Sequence, residues 1–228
     1  NKSVKAVFDC QVARLDVIAW RVVGLDVFLE VFKYLTFSSG VPQIYRNTYK
    51  EDKLMERIIK QQVRGYRTKD GAGVSLVRVL GNQTVQEYDP ILMLDSFDST
   101  NPEDYTAGFP MHPHRGIETI SYVYRGYMTH KDSLGNEDTI GDGEVQWMTA
   151  GSGIMHEEKL PAAERMLGVQ LWLNLPAKDK MAPPAYHSIK NSEIEEIEFD
   201  WGKLRLLAGE FEGRKGYMSK YLPLNYYD

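Results

Sequence analysis

The sequence predicts an all-β protein, a sandwich or small barrel, and three observations carry that prediction. From about Ile58 onward, short runs rich in β-branched and aromatic residues recur at hairpin-like intervals. Gly, Asn, Asp and Pro punctuate them, as in Gly81-Asn82 after "VSLVRVL" and Asp98 to Pro102 after "ILMLDSF". The first fifty residues look unlike the rest, with charges at helical spacing.

Within residues 1–50, Asp26, Glu30 and Lys33 fall one or two helical turns apart, and Ser38 to Pro42 supplies a break. An amphipathic packing helix is expected there, outside the main fold and without a candidate ligand. The most apolar stretch, Val17 to Phe37, contains Arg21, Asp26, Glu30 and Lys33, each costly at the centre of a bilayer. Asp9, Arg14 and Asp16 likewise break the apolar region a signal peptide would need. Strands follow over "VSLVRVL", "ILMLDSF", "IETISYVYRG", "EVQWMTAG" and "MLGVQLWLNL", the last ended by Pro176. Pro176 to Pro184 reads as a linker or an edge crossing. After it, "KLRLLAGEFEG" opens another strand-and-turn pattern. The expected organisation is therefore 1–50, 58–176 and 185–228.

A chain of 228 residues can bury a substantial core without staples, and its single cysteine, Cys10, excludes an internal disulfide framework. Reducing conditions, and hence a cytoplasmic location, are the expectation. The net charge of −5 gives no electrostatic reason for a nucleic-acid or anionic-membrane partner. Small molecules or proteins are the partners this balance favours.

Of the five histidines, two stand one residue apart in "FPMHPHRGIETISYVYRG", at His112 and His114. Side chains at i and i+2 of a strand share a face, so both imidazoles can meet one ion. Pro113 stiffens the backbone between them, and Gly108 permits a tight approach. Downstream, "AGSGIMHEEKL" places His156 and Glu158 in the same i, i+2 relation, while Glu157 has the opposite parity. Glu118 shares parity with His112 and His114, so parity offers five candidate ligands: His112, His114, Glu118, His156 and Glu158. His130, in "YMTHKDSLGNED", is expected on an exposed hairpin, and His187 beyond the proline segment is expected to be structural.

The pattern His112-x-His114-x₃-Glu118-x₇-Gly126, with Gly153-x₂-His156 after it, resembles the two motifs of the cupins, and "AGFPMHPHRGIETISYVYRG" with "GEVQWMTAGSGIMHEE" resembles the pirin family among them. Asp89 to Phe97 and "RLLAGEFEG" extend the resemblance, which leaves the first fifty residues unmatched. It implies a cupin double-stranded β-helix barrel over 58–176 and the truncated start of a second cupin domain over 185–228. It also implies that His112, His114, His156 and Glu158 bind iron, with Glu118 as a supporting carboxylate.

Imidazole and carboxylate donors suit Fe(II) or another divalent first-row metal, and four such ligands leave positions open on a six-coordinate ion. Zinc held tetrahedrally by the same four would leave none. Phe109, Met111, Trp147, Met148 and Met155 are candidates for apolar walls, although most are expected in the core. Two functions follow from the resemblance. One is a dioxygenase opening a flavonol such as quercetin, with Glu158 or Glu118 accepting the hydroxyl proton. The other is a metal-dependent regulatory module docking on a transcription factor or metabolic enzyme, in the nucleus as well as the cytoplasm if the source is eukaryotic.

Overall fold

Runs of alternating buried and polar residues form the strands, and Gly-rich or Pro-rich turns end them. In the computed structural model, backbone and side chains are described for residues 63–200 and 202–228, and strand backbone alone for 5–10, 15–23, 26–32 and 59–62. The strands are β1 (Lys5–Cys10), β2 (Leu15–Val23), β3 (Asp26–Phe32), β4 (Ile59–Arg64), β5 (Tyr66–Asp70), β6 (Val74–Leu80), β7 (Ile91–Ser99), β8 (Phe109–His114), β9 (Ile117–Arg125) and β10 (Met128–Asp132). They continue as β11 (Glu137–Ile140), β12 (Glu144–Thr149), β13 (Ile154–Lys159), β14 (Met166–Asn174), β15 (Ala185–Ile189), β16 (Glu195–Phe199), β17 (Gly202–Ala208), β18 (Glu210–Phe211), β19 (Arg214–Lys215) and β20 (Leu224–Tyr227). One short helix, α1 (Val85–Tyr88), precedes β7.

Three sheets stack into layers. The middle one has the order β15-β12-β9-β14-β7-β6-β5, and the order β11-β10-β13-β8 faces it. Together they form the double-stranded β-helix expected of a cupin. Val74, Phe97, Val123 and Met166 of the middle sheet meet Phe109, Met128 and Leu160 between the two layers. The opposite face of the middle sheet packs against the third sheet, β16-β17-β20-β1-β2-β3-β4. There Ile120, Tyr122, Trp147, Leu171 and Leu173 join Leu207, Leu222, Leu224 and Tyr226 in the largest apolar cluster of the described residues. Period-two alternation lets one sheet serve two cores.

Two expectations change form. The helix expected within residues 1–50 is replaced, where that segment is described, by the antiparallel strands β1, β2 and β3; the remainder lies outside the described residues. Valine, isoleucine, phenylalanine and tryptophan dominate "LDVIAWRVV" and "DVFLEVF", and their β preference outweighs the spacing of three charges. Pro176 to Pro184 takes the form of an edge crossing. Lys180 Nζ donates to Gly116 O at 3.0 Å and to Asn174 Oδ1 at 2.6 Å, and Ser152 N donates to Ala182 O at 2.8 Å. Beyond it β15 pairs directly with β12.

Candidate metal centre

β8 and β13 are antiparallel neighbours in which His112 pairs with His156 and His114 with Ile154. This register, with the alternation on each strand, turns three imidazoles toward one point. The potential ligand atoms of His112, His114 and His156 lie within 4.8 Å of one another. Ring centroids are 4.4 Å apart for His112 and His156, 5.0 Å for His114 and His156, and 4.8 Å for His112 and His114. His112 Nδ1–H donates to Pro110 O at 2.8 Å, which leaves its Nε2 with a lone pair 3.1 Å from His114 Nε2.

His156 is buried, and its Nε2 has no hydrogen-bond partner among the described residues. An orphaned buried acceptor is costly unless something binds it. The ring nitrogens of His112 and His114 stand beside it, and a divalent cation suits that donor set. Burial, followed by the neighbouring His112, lowers the His114 pKa to about 4. Burial together with the other three imidazoles lowers His156 to about 2. Both are neutral at pH 7, the form that ligates metal.

A bulge lies between the His156 and Glu158 pairs, so Glu158 faces Phe109 and β8 carries the extra residue. Pro110, which has no N–H for the ladder, sits in that bulge. Gly108, at φ +64°, allows the close approach: a Cβ there would stand 2.6 Å from Glu158 O. Glu158 shares its face with His156 and is wholly buried, but its oxygens are outside the imidazole cluster. Oε1 accepts from Gln146 Nε2, and Oε2 accepts from Gln170 Nε2 at 2.8 Å. Burial pushes its pKa up to about 7 against these two hydrogen bonds. Glu157 points the other way and pairs with Lys159 at 3.6 Å.

The structure does not bring Glu118 to the histidines. It lies on the β9 face that carries Ile120 and Tyr122, where Oε1 accepts from Thr149 Oγ1 at 2.7 Å. Parity does not survive the turn between β8 and β9, because Gly116 adopts φ +71° and the two strands enter different sheets. Burial raises the Glu118 pKa, so that carboxyl holds its proton more tightly than usual.

A cavity of about 330 Å³ opens beside the cluster, lined by His112, Glu158, Gln170, Trp172, Phe109, Pro110, Met93, Asp95, Asp70 and Gly71. Of the five apolar residues expected as walls, Phe109 alone lines it. Trp147 faces the third sheet, Met148 packs with Ala150 and Ile154, and Met111 and Met155 are exposed. Trp172 takes their place, with its ring 4.8 Å from that of His114. Asp95 and Asp70 are bridged by Arg78, whose Nη2 lies 2.7 and 2.6 Å from their carboxylates.

His130 is the main residue that sequence reasoning misplaced. It is 0 % exposed, with its ring stacked on Tyr186 at 4.0 Å and its Nδ1 3.4 Å from His156 Nδ1. A signal was present, since His130 and Asp132 form a third i, i+2 pair. The turn residues around them made an exposed hairpin the simpler reading. His187 is half exposed, stacked on Tyr217 and 3.2 Å from Glu193.

Residues 73–173 match the pirin family. The chain is similar to a pirin-like protein of Caulobacter vibrioides, with 46% identity over 159 residues, covering 68% of this chain and 57% of that one. A Pseudomonas aeruginosa protein provisionally named quercetin 2,3-dioxygenase is 49% identical over 150 residues, covering 65% and 53% respectively. Among solved structures, quercetin 2,3-dioxygenase from Acinetobacter baumannii superposes with a TM-score of 0.63 at 37% identity, over 71% of this chain and 60% of that one. The chain thus spans about half the length of the curated relatives it matches.

Proposed function

We propose, from the match of residues 73–173 to the pirin family, that this chain is an iron(II)-dependent oxygenase acting on a flavonol, with the metal held by His112, His114, His156 and Glu158. The observation that carries the reading is the buried Nε2 of His156, which has no hydrogen-bond partner among the described residues and lies within 4.8 Å of ligand atoms of two more imidazoles. Iron(II) supplies, when bound, open positions and the one-electron chemistry that overcomes the spin barrier of O₂.

The remaining work falls to protein groups. Trp172, Phe109 and Met93 wall the cavity, and a planar aromatic ring suits them. About 330 Å³ is within the range of small-molecule pockets. Glu158 has two oxygens, one for the metal and one for proton transfer. In the metal-free protein burial pushes its pKa up to about 7, and with the metal in place its carboxylate would accept a proton from a phenolic or enolic hydroxyl. Asp70 and Asp95, steadied by Arg78, offer acceptors to hydroxyl groups at the far end of the cavity. The provisional name of the Pseudomonas relative and the identity of the Acinetobacter structure support a flavonol substrate. The strand-and-turn pattern from Lys203 onward, with the greater length of the relatives, supports residues 185–228 as the opening of a second cupin unit.

Quercetin added aerobically to the iron-loaded protein tests this function. Flavonol absorbance should fall, and His112→Ala should abolish the fall. Stoichiometric zinc without iron after anaerobic purification would overturn the oxygenase reading. An iron-loaded protein inert toward the flavonol would favour a regulatory, protein-binding role instead.

A further inference from the structure

We propose that His130 and Asp132 form a tautomer relay that directs the lone pair of His156 Nε2 toward the metal centre. The inference rests on the reading of the imidazole cluster as a metal site, and it makes His130 a positioning residue rather than a ligand.

The argument begins at Asp132. Its Oδ1 accepts from Leu134 N at 2.9 Å and Asn136 N at 3.1 Å, and its Oδ2 accepts from Asn136 Nδ2 at 2.9 Å. A carboxylate so surrounded by donors is an acceptor only. His130 Nε2, 3.0 Å from Oδ2, must therefore carry a proton. A neutral imidazole protonated at Nε2 has a lone pair at Nδ1. That nitrogen lies 3.4 Å from His156 Nδ1, so His156 donates from Nδ1 and its Nε2 is left bare. Nε2 is the atom of His156 that has no partner among the described residues.

Register builds the relay. On β10 and β13, Asp132 pairs with His156 and His130 with Glu158, so the relay runs across one strand pair. Tyr186, stacked at 4.0 Å with ring planes 8° apart, fixes the plane of His130. The role parallels that of Pro110 O toward His112, which also holds an Nδ1–H and frees an Nε2. Carbonyl and imidazole thus do the same work on opposite strands.

Two substitutions test the relay. Asp132→Asn keeps an oxygen for the backbone donors of the turn and places an amide N–H against His130 Nε2. His130 then shifts its proton to Nδ1, and His156 is driven to the Nε2–H form. His130→Phe keeps the ring and its stack on Tyr186 but removes the acceptor. Nitrogen-15 NMR of the metal-free protein reads the tautomer of His156 directly. Cobalt(II) titration, followed through its visible bands, reads affinity. Wild type should show His156 protonated at Nδ1. Asp132→Asn should show it protonated at Nε2, with cobalt affinity roughly ten- to hundredfold weaker in both variants. An unchanged His156 tautomer in whichever variant folds, or wild-type cobalt affinity in a folded His130→Phe, would overturn the relay. If wild type binds no cobalt while the tautomer still switches, the relay stands and the metal reading falls.

Discussion

A buried carboxyl whose protein partners are two neutral amides is held at a cost, and Glu158 makes that cost measurable. Its folded pKa, about 7, is above the ordinary value of 4.5. The folded protein therefore binds this proton more tightly than the unfolded chain does between those two values, and stability falls as pH rises through the window. In the metal-free protein, Glu158→Gln should raise stability by up to about 3 kcal/mol above pH 7, with the two proteins converging near pH 4.5. Urea midpoints across pH measure this, and a constant difference at all pH values would show that ionisation is not the cause. The same substitution should weaken metal binding severely, while Glu157→Gln and Glu118→Gln leave it near wild type, as read by metal content after dialysis. Glu157 pairs with Lys159 outside, and Glu118 faces Thr149 on another layer. The approach of His112, His114 and His156 was legible because strand parity is local. Glu118 and His130 were not: parity does not pass through the left-handed Gly116, and burial of a hairpin histidine depends on strands distant in sequence.

Strand boundaries were the most legible feature at the scale of elements. "VSLVRVL" is β6 from its first residue to its last, and "ILMLDSF", "IETISYVYRG" and "MLGVQLWLNL" begin where β7, β9 and β14 begin. Turn chemistry and β preference agree in those segments, whereas within residues 1–50 charge spacing and β preference conflict, and β preference prevails. How strands approach one another is less visible in sequence. Gly108→Ala tests the one approach that was anticipated. Its φ of +64° and a Cβ only 2.6 Å from Glu158 O would force β8 and β13 apart at the carboxylate. We expect a loss of about 1–3 kcal/mol, together with weaker metal binding. Gly213→Ala is the control, since φ is +82° but nothing among the described residues lies within 4 Å of the added Cβ. It should cost about 1 kcal/mol and leave metal affinity unchanged. Equal losses of affinity in the two variants would mean that the strand approach does not position Glu158.

At the scale of the whole molecule, the middle sheet couples the metal centre to the residues that follow the proline crossing. Leu171 and Trp172 are neighbours on β14: the first is buried with Leu207 against the third sheet, and the second lines the cavity beside His114. This arrangement was not legible in the sequence, where the segment from Lys203 onward looks like the start of something separate. Leu207 is completely buried, so Leu207→Ala should cost about 2–5 kcal/mol through lost burial and the cavity it leaves. If the third sheet and the barrel unfold together, the midpoints of far-ultraviolet circular dichroism and of the cobalt bands should fall by the same amount. Leu207 lines no part of the cavity, so native-state cobalt affinity should stay near wild type. A cobalt signal that keeps its wild-type midpoint while the circular dichroism midpoint drops would separate the two units. Parallel midpoints would mean that residues after the crossing stabilise the metal centre without touching it, through the middle sheet, which has a core on each face.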